Sequence, residues 1–100
     1  MLKNIGESSV KIKVTQKAWD DISSIEEYIS KDNVSAAQAT IQKTLDSSKN
    51  LVEFPNMGRT GRVPMTRELV VSGTPFIIIY TVRQNTIFIL RILHAARKWP

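Results

Sequence analysis

Apolar and polar positions divide the chain into two helical stretches followed by several strand-like ones. Val10, Ile12 and Val14 alternate with Lys11, Lys13 and Thr15. This period of two predicts a half-buried strand. From Ala18 the spacing changes. Ala18, Ile22, Ile25 and Ile29 recur at helical intervals, with Trp19 and Tyr28 beside the stripe, which predicts an amphipathic helix. Asp20, Asp21, Glu26 and Glu27 fall outside the stripe and are expected on its other face. The two near the start also suit the positive end of the helix dipole. Asp32-Asn33 interrupts the pattern. Ser35 is a candidate cap for a second helix, with Ala36, Ala37, Ala39, Ile41, Leu45 and Leu51 or Val52 on its inner side. Two such helices joined by a short turn make a helical hairpin.

Residues 54–64 hold Pro55, Pro64, Gly58, Gly61, Arg59 and Arg62, a composition that predicts a basic loop. Thr66–Val71 then reads as a short strand ending at Ser72-Gly73-Thr74-Pro75. Phe76–Val82 is almost wholly apolar, the mark of a central strand covered on both faces. Helices are expected on one face and a tail or partner on the other. Gln84-Asn85 makes a turn, and Ile87–Leu93 is apolar again except at Arg91. The order is β-α-α-β-β-β. Helices followed by a run of strands predict an α+β fold, a helical hairpin packed on one face of a small, mainly antiparallel sheet. At 100 residues, one domain over 1–100 is expected, with 1–9 a loose N-terminal segment.

Composition excludes several chemistries. There is no cysteine, hence no disulfide framework, thiolate metal site or cysteine nucleophile. One histidine and scattered carboxylates give no metal-ligand spacing. Neither a glycine-rich phosphate loop nor a nucleophile elbow is present. No metal and no cofactor are expected. No apolar run of signal-peptide or membrane-span length is visible, so a cytoplasmic protein without membrane contact is expected.

The net charge is +5, and its distribution matters more than its size. Residues 1–50 balance seven lysines with seven acids. Residues 51–100 hold all six arginines and Lys98 against only Glu53 and Glu68. Arginine presents a planar fork of donors suited to phosphate and carboxylate. An anionic partner meeting the second half is therefore expected.

The candidate chemistry lies in that half. His94 follows the last predicted strand and is the one side chain suited to proton transfer near neutral pH. A lone histidine also serves to close a strand end. Arg67 and Arg91 sit in the first and last strands of the predicted meander and are expected on the sheet face away from the helices. With Arg62, Arg97 and Lys98 they would form a concave basic surface for substrate. The structural alternative for Arg91 is an ion pair with Glu68. Trp99 suits base stacking or a tail packed on the core.

Several segments together carry a resemblance: Gly58-Arg59 through Gly61-Arg62-Val63-Pro64, Thr66–Val71, Gly73–Tyr80, Ile89–Pro100, and in the first helix Ala18, Asp21, Ile22, Ile25, Tyr28 and Ile29. In this order and spacing, over about residues 10–100, they resemble the RelE/ParE superfamily of bacterial toxins. The resemblance implies the toxin of a type II toxin–antitoxin pair, with a small antitoxin that wraps it. Two targets are then open. RelE-type members cut mRNA on the ribosome, and ParE-type members inhibit DNA gyrase. Fold does not decide between them. By resemblance, His94, Arg67 and Arg97 correspond to catalytic positions of the ribonuclease members; Arg62, Arg91 and Lys98 of the basic surface are the expected substrate-binding residues. This favours metal-independent, ribosome-dependent mRNA cleavage. Gyrase inhibition and a degenerate, non-toxic relative are the alternatives. Ile77 stands where ribonuclease members usually carry an arginine, and Pro100 stands at the end where some have tyrosine.

Overall fold

The computed structural model describes residues 10–97, 99 and 100. The expected loose segment at 1–9 and the candidate Lys98 lie outside the described residues. The chain forms β1 (Lys11–Val14), α1 (Gln16–Ser30), α2 (Val34–Glu53), β2 (Arg59–Thr60), β3 (Arg67–Val70), β4 (Phe76–Arg83) and β5 (Thr86–His94). The strands make one sheet in the order β1-β5-β4-β3-β2. All neighbours are antiparallel except β1, which runs parallel to β5. The expected α+β architecture is therefore present. One short strand is added, because Arg59-Thr60 of the expected loop pairs with Glu68 and Arg67.

Local chemistry sets the helix bounds. Thr15 caps α1, its hydroxyl accepting from the Ala18 amide at 3.2 Å. With the helix starting at Gln16, its first turn holds no acid. Asn33, not Ser35, caps α2, accepting from the Ala36 amide at 2.9 Å. An Asx side chain three residues ahead reaches the free amide that a residue already inside the helix does not. Gln84 and Asn85 both adopt positive φ, 49° and 59°, the backbone of a tight hairpin turn between β4 and β5.

The main core lies between helices and sheet. Ala18, Leu51, Val71, Ile78, Tyr80, Ile87, Ile89 and Ile92 are buried together there. A smaller cluster of Ile77, Ile79 and Leu93 occupies the opposite face of the sheet, with Leu90 and Trp99 packed on it. The apolar run of β4 is thus covered on both faces, by helices on one and by the tail on the other. A bulge between Ile79 and Tyr80 shifts the β4–β5 register, so that Ile79 pairs Arg91 while Tyr80 pairs Ile89. Leu90 is the extra residue. Strict alternation from Ile87 and Ile89 would send Ile92 away from the helices. The bulge returns it to the core.

The bulge also accompanies the main link between α1 and the sheet. β1 pairs β5 only as far as Ile89, so beyond it β5 has a free edge. Side chains of the incoming helix satisfy that edge. The Thr15 hydroxyl donates to the Leu90 carbonyl at 3.0 Å. Asp21 accepts from the Ile92 amide at 2.9 Å and from Arg91 through Nε at 2.7 Å and Nη2 at 2.9 Å. Both side chains of the pair are largely buried, Arg91 20% and Asp21 13% exposed. Burial pushes the Asp21 carboxyl up. The Arg91 hydrogen bond, the Ile92 amide and the positive charges of Arg91 and Arg97 outweigh burial and hold it below its ordinary 3.8.

Removing the Asp21 charge leaves Arg91 without its partner in a largely buried site. Asp21→Asn is expected to lower the unfolding free energy by about 2 kcal/mol, read as a lower denaturant midpoint at unchanged slope. A carboxyl whose folded pKa is depressed stabilises fully above its unfolded value and loses that effect as pH falls through the folded one. Below pH 3.8 the wild type should therefore converge on the variant.

Candidate functional site

The candidate residues fall into two groups set apart along the sheet. Arg67 pairs Tyr80, whereas His94 pairs Phe76. They are thus offset by four residues along β4 and separated by two strand spacings. At ~3.3 Å per residue and ~4.8 Å between strands, their backbones stand about 16 Å apart. The expected single concave surface is not formed.

Arg67 also faces the other way from the expectation. Directly paired residues share a face, and Tyr80 belongs to the core under the helices. Arg67 is therefore on the helix side, where its Nη1 donates to the Gly58 carbonyl at 2.8 Å and the Asn56 carbonyl at 3.3 Å. Tyr80 completes the same fastening. Its buried hydroxyl donates to the Pro55 carbonyl at 2.8 Å and accepts from the Gly58 amide at 2.9 Å. A Cβ at residue 58 would lie 2.7 Å from that hydroxyl, so only glycine fits. Burial raises the Tyr80 pKa, against the lowering effects of the Gly58 amide and the Arg67 charge. The phenol therefore stays neutral and keeps its proton for Pro55. Together Tyr80 and Arg67 hold the loop after α2 against the sheet.

Arg91 is likewise not free. Its partner is Asp21 on α1, not Glu68, and it does not lie open beside Arg67. Asp21 strengthens its hold on its proton. Glu68 instead takes Arg59, whose Nη2 lies 2.9 Å from Oε1 across the β2–β3 pair. Arg62 is exposed in the turn before β3.

The second group gathers at the end of β5. His94 is exposed, packs edge-on against Phe76 with ring centroids 5.8 Å apart, and accepts at Nδ1 from the Ala96 amide at 3.1 Å. The Arg97 amide donates to the His94 carbonyl at 2.9 Å. Arg97 is exposed, and its charge acts on Asp21. An open hollow of about 420 Å³ is lined by Thr15, Lys17, Leu90, Arg91, Trp99 and Pro100. Among the described residues no carboxylate bonds His94, and no group of three or more His, Cys, Asp or Glu is placed to hold a metal ion. Among them also, no helix is long and apolar enough to cross a membrane.

Comparison with known proteins agrees with this architecture. Residues 12–99 match the family described as the ParE toxin of the type II toxin-antitoxin system parDE. The chain is 36% identical over 93 residues to Y4kP of Sinorhizobium fredii, covering 93% of this chain and 96% of that one. It is 36% identical over 83 residues to Toxin RelE2 of Caulobacter vibrioides, covering 83% and 92%. Among solved structures it superposes on a chain of the chromosomal ParDE system from P. aeruginosa with a TM-score of 0.77 at 30% identity, over 85% of this chain and 95% of that one. A chain of the E. coli RelBE complex shares the fold, with a TM-score of 0.57 at 12% identity, over 89% and 100%. The chain belongs to the ParE toxin family of type II toxin–antitoxin systems, within the RelE/ParE superfamily.

Tyr80→Phe deletes both hydrogen bonds of the clasp and leaves the Gly58 amide buried without its partner. A loss of about 1–3 kcal/mol is expected, together with faster hydrogen exchange at the Gly58 amide.

Proposed function

We propose that the chain is a growth-arresting toxin that acts by binding DNA gyrase, the target of ParE-type members, and not by cutting mRNA. Supporting this is the separation of Arg67 from His94. Cleavage by a 2′-hydroxyl needs a base, an acid and charge stabilisation gathered around one phosphate. Backbones about 16 Å apart do not gather there, and the Arg67 guanidinium is turned to the Asn56 and Gly58 carbonyls. Among the described residues the His94 ring is hydrogen-bonded by the Ala96 amide, and no second proton-transfer group bonds it. Inhibition by binding needs a surface and no proton transfer. The family match and the likeness to the ParDE chain favour the same reading. The likeness to ParDE and RelBE chains also supports a cognate antitoxin as partner. Action in the cytoplasm follows from the target.

Ribosome-dependent mRNA cleavage rests on the exposed His94 with Arg97, the ribosome supplying the missing groups. The two readings separate in time after induction. Pulse-labelling of DNA and protein synthesis is expected to show DNA synthesis falling first, with filamentation. Protein synthesis falling first, restored by His94→Ala, supports cleavage instead. Undisturbed growth supports the degenerate, non-toxic relative.

A further inference from the structure

The turn before β3 holds a strained residue whose side chain is left outside. Met65 has φ 70°, a left-handed conformation that non-glycine residues adopt rarely and that asparagine tolerates better. The residue is 81% exposed, so no burial in the free protein offsets the strain. The turn is nonetheless firmly held. The Gly61 amide donates to the Thr66 carbonyl at 2.8 Å and the Thr66 amide to the Val63 carbonyl at 3.2 Å. The Thr66 hydroxyl donates to the Val63 carbonyl at 2.6 Å, and the Thr81 hydroxyl of β4 to the Met65 carbonyl at 2.6 Å. Strain kept by a rigid surround, with an exposed apolar side chain at its apex, marks a contact point and not a packing solution.

The surroundings specify what it contacts. Met65 stands between two open hollows. One, of about 240 Å³, includes Thr60 and Arg67 in its lining. The other, of about 440 Å³, includes Thr81 and Arg83. Arg62 is exposed in the same turn. No carboxylate lines either hollow. No aromatic ring lines them either, so nothing there stacks a base as single-stranded nucleic-acid sites do. Methionine and arginine are both enriched at protein interfaces.

We infer that the 61–66 turn is the toxin's docking ridge for its protein target, with Met65 entering an apolar socket whose acidic rim meets the exposed Arg62 and Arg83. The inference rests on the gyrase reading above and adds where on this chain the contact is made.

Met65→Asn removes the apolar side chain while suiting the left-handed backbone, and Met65→Gly is the second variant. Both are expected to melt at or above the wild-type temperature. With purified gyrase and relaxed plasmid, each is expected to need about tenfold more protein to block supercoiling. Arg83→Glu should weaken inhibition further, and most at low salt. A wild type that inhibits, with both Met65 variants folded and equally inhibitory, overturns the ridge alone. A wild type that leaves supercoiling untouched overturns the gyrase reading and with it the partner assigned to the ridge.

Discussion

The free edge of β5 is the constraint on which the arrangement depends. β5 has β4 on one side, β1 on the other, and α1 across it. β1 ends at Val14, opposite Ile89, leaving backbone groups of the last strand without a ladder partner. Buried backbone polar groups must be bonded, and here Thr15 and Asp21 bond them from α1. Asp21 also neutralises Arg91 in the same geometry. One carboxylate thus fixes the helix against the strand across 70 residues of chain. Arg91 is thereby committed to the fold and withdrawn from the basic surface.

A second commitment removes Arg67. Its guanidinium and the Tyr80 hydroxyl fasten the loop after α2 to the sheet. The basic half of the sequence is therefore divided by role. Arg67 and Arg91 do structural work, Arg59 is paired with Glu68, and Arg62, Arg83 and Arg97 stay exposed. Arg62 and Arg83 flank the Met65 turn, while Arg97 lies beyond the end of β5. A surface divided in this way suits recognition of a large partner better than assembly of a compact catalytic centre.

Much of the fold was legible in the residues. The β1 alternation, the Ala18–Ile29 stripe and the apolar run of β4 each carry one periodicity, and each element formed where it predicted. The apolar excess of β4 also foretold cover on both faces, which the core cluster and the Trp99 contact supply. The partners of the arginines were not legible. Arg91 takes the expected face, since it pairs Ile79 of the cluster opposite the helices, but nothing in residues 87–93 marks Asp21 as its partner. Arg67 was hidden for a different reason: its partners are backbone carbonyls of a loop, which composition does not mark. Asp21 looked like a solvated acid because its partner lies 70 residues away. Met65 had a local signal, an apolar residue directly after Pro64 in a basic loop, but its positive φ belongs to the folded turn.

The separation of Arg67 from His94 carries the functional reading, and cleavage chemistry tests it most directly. Purified toxin is added to ribosomes programmed with a defined mRNA, and the 3′ ends of the message are mapped by sequencing. Intact message at toxin levels that block gyrase is the expected result. Message cut at defined positions by the wild type, and spared by both His94→Ala and Arg67→Ala in folded form, would show that the two residues act on one phosphate after all.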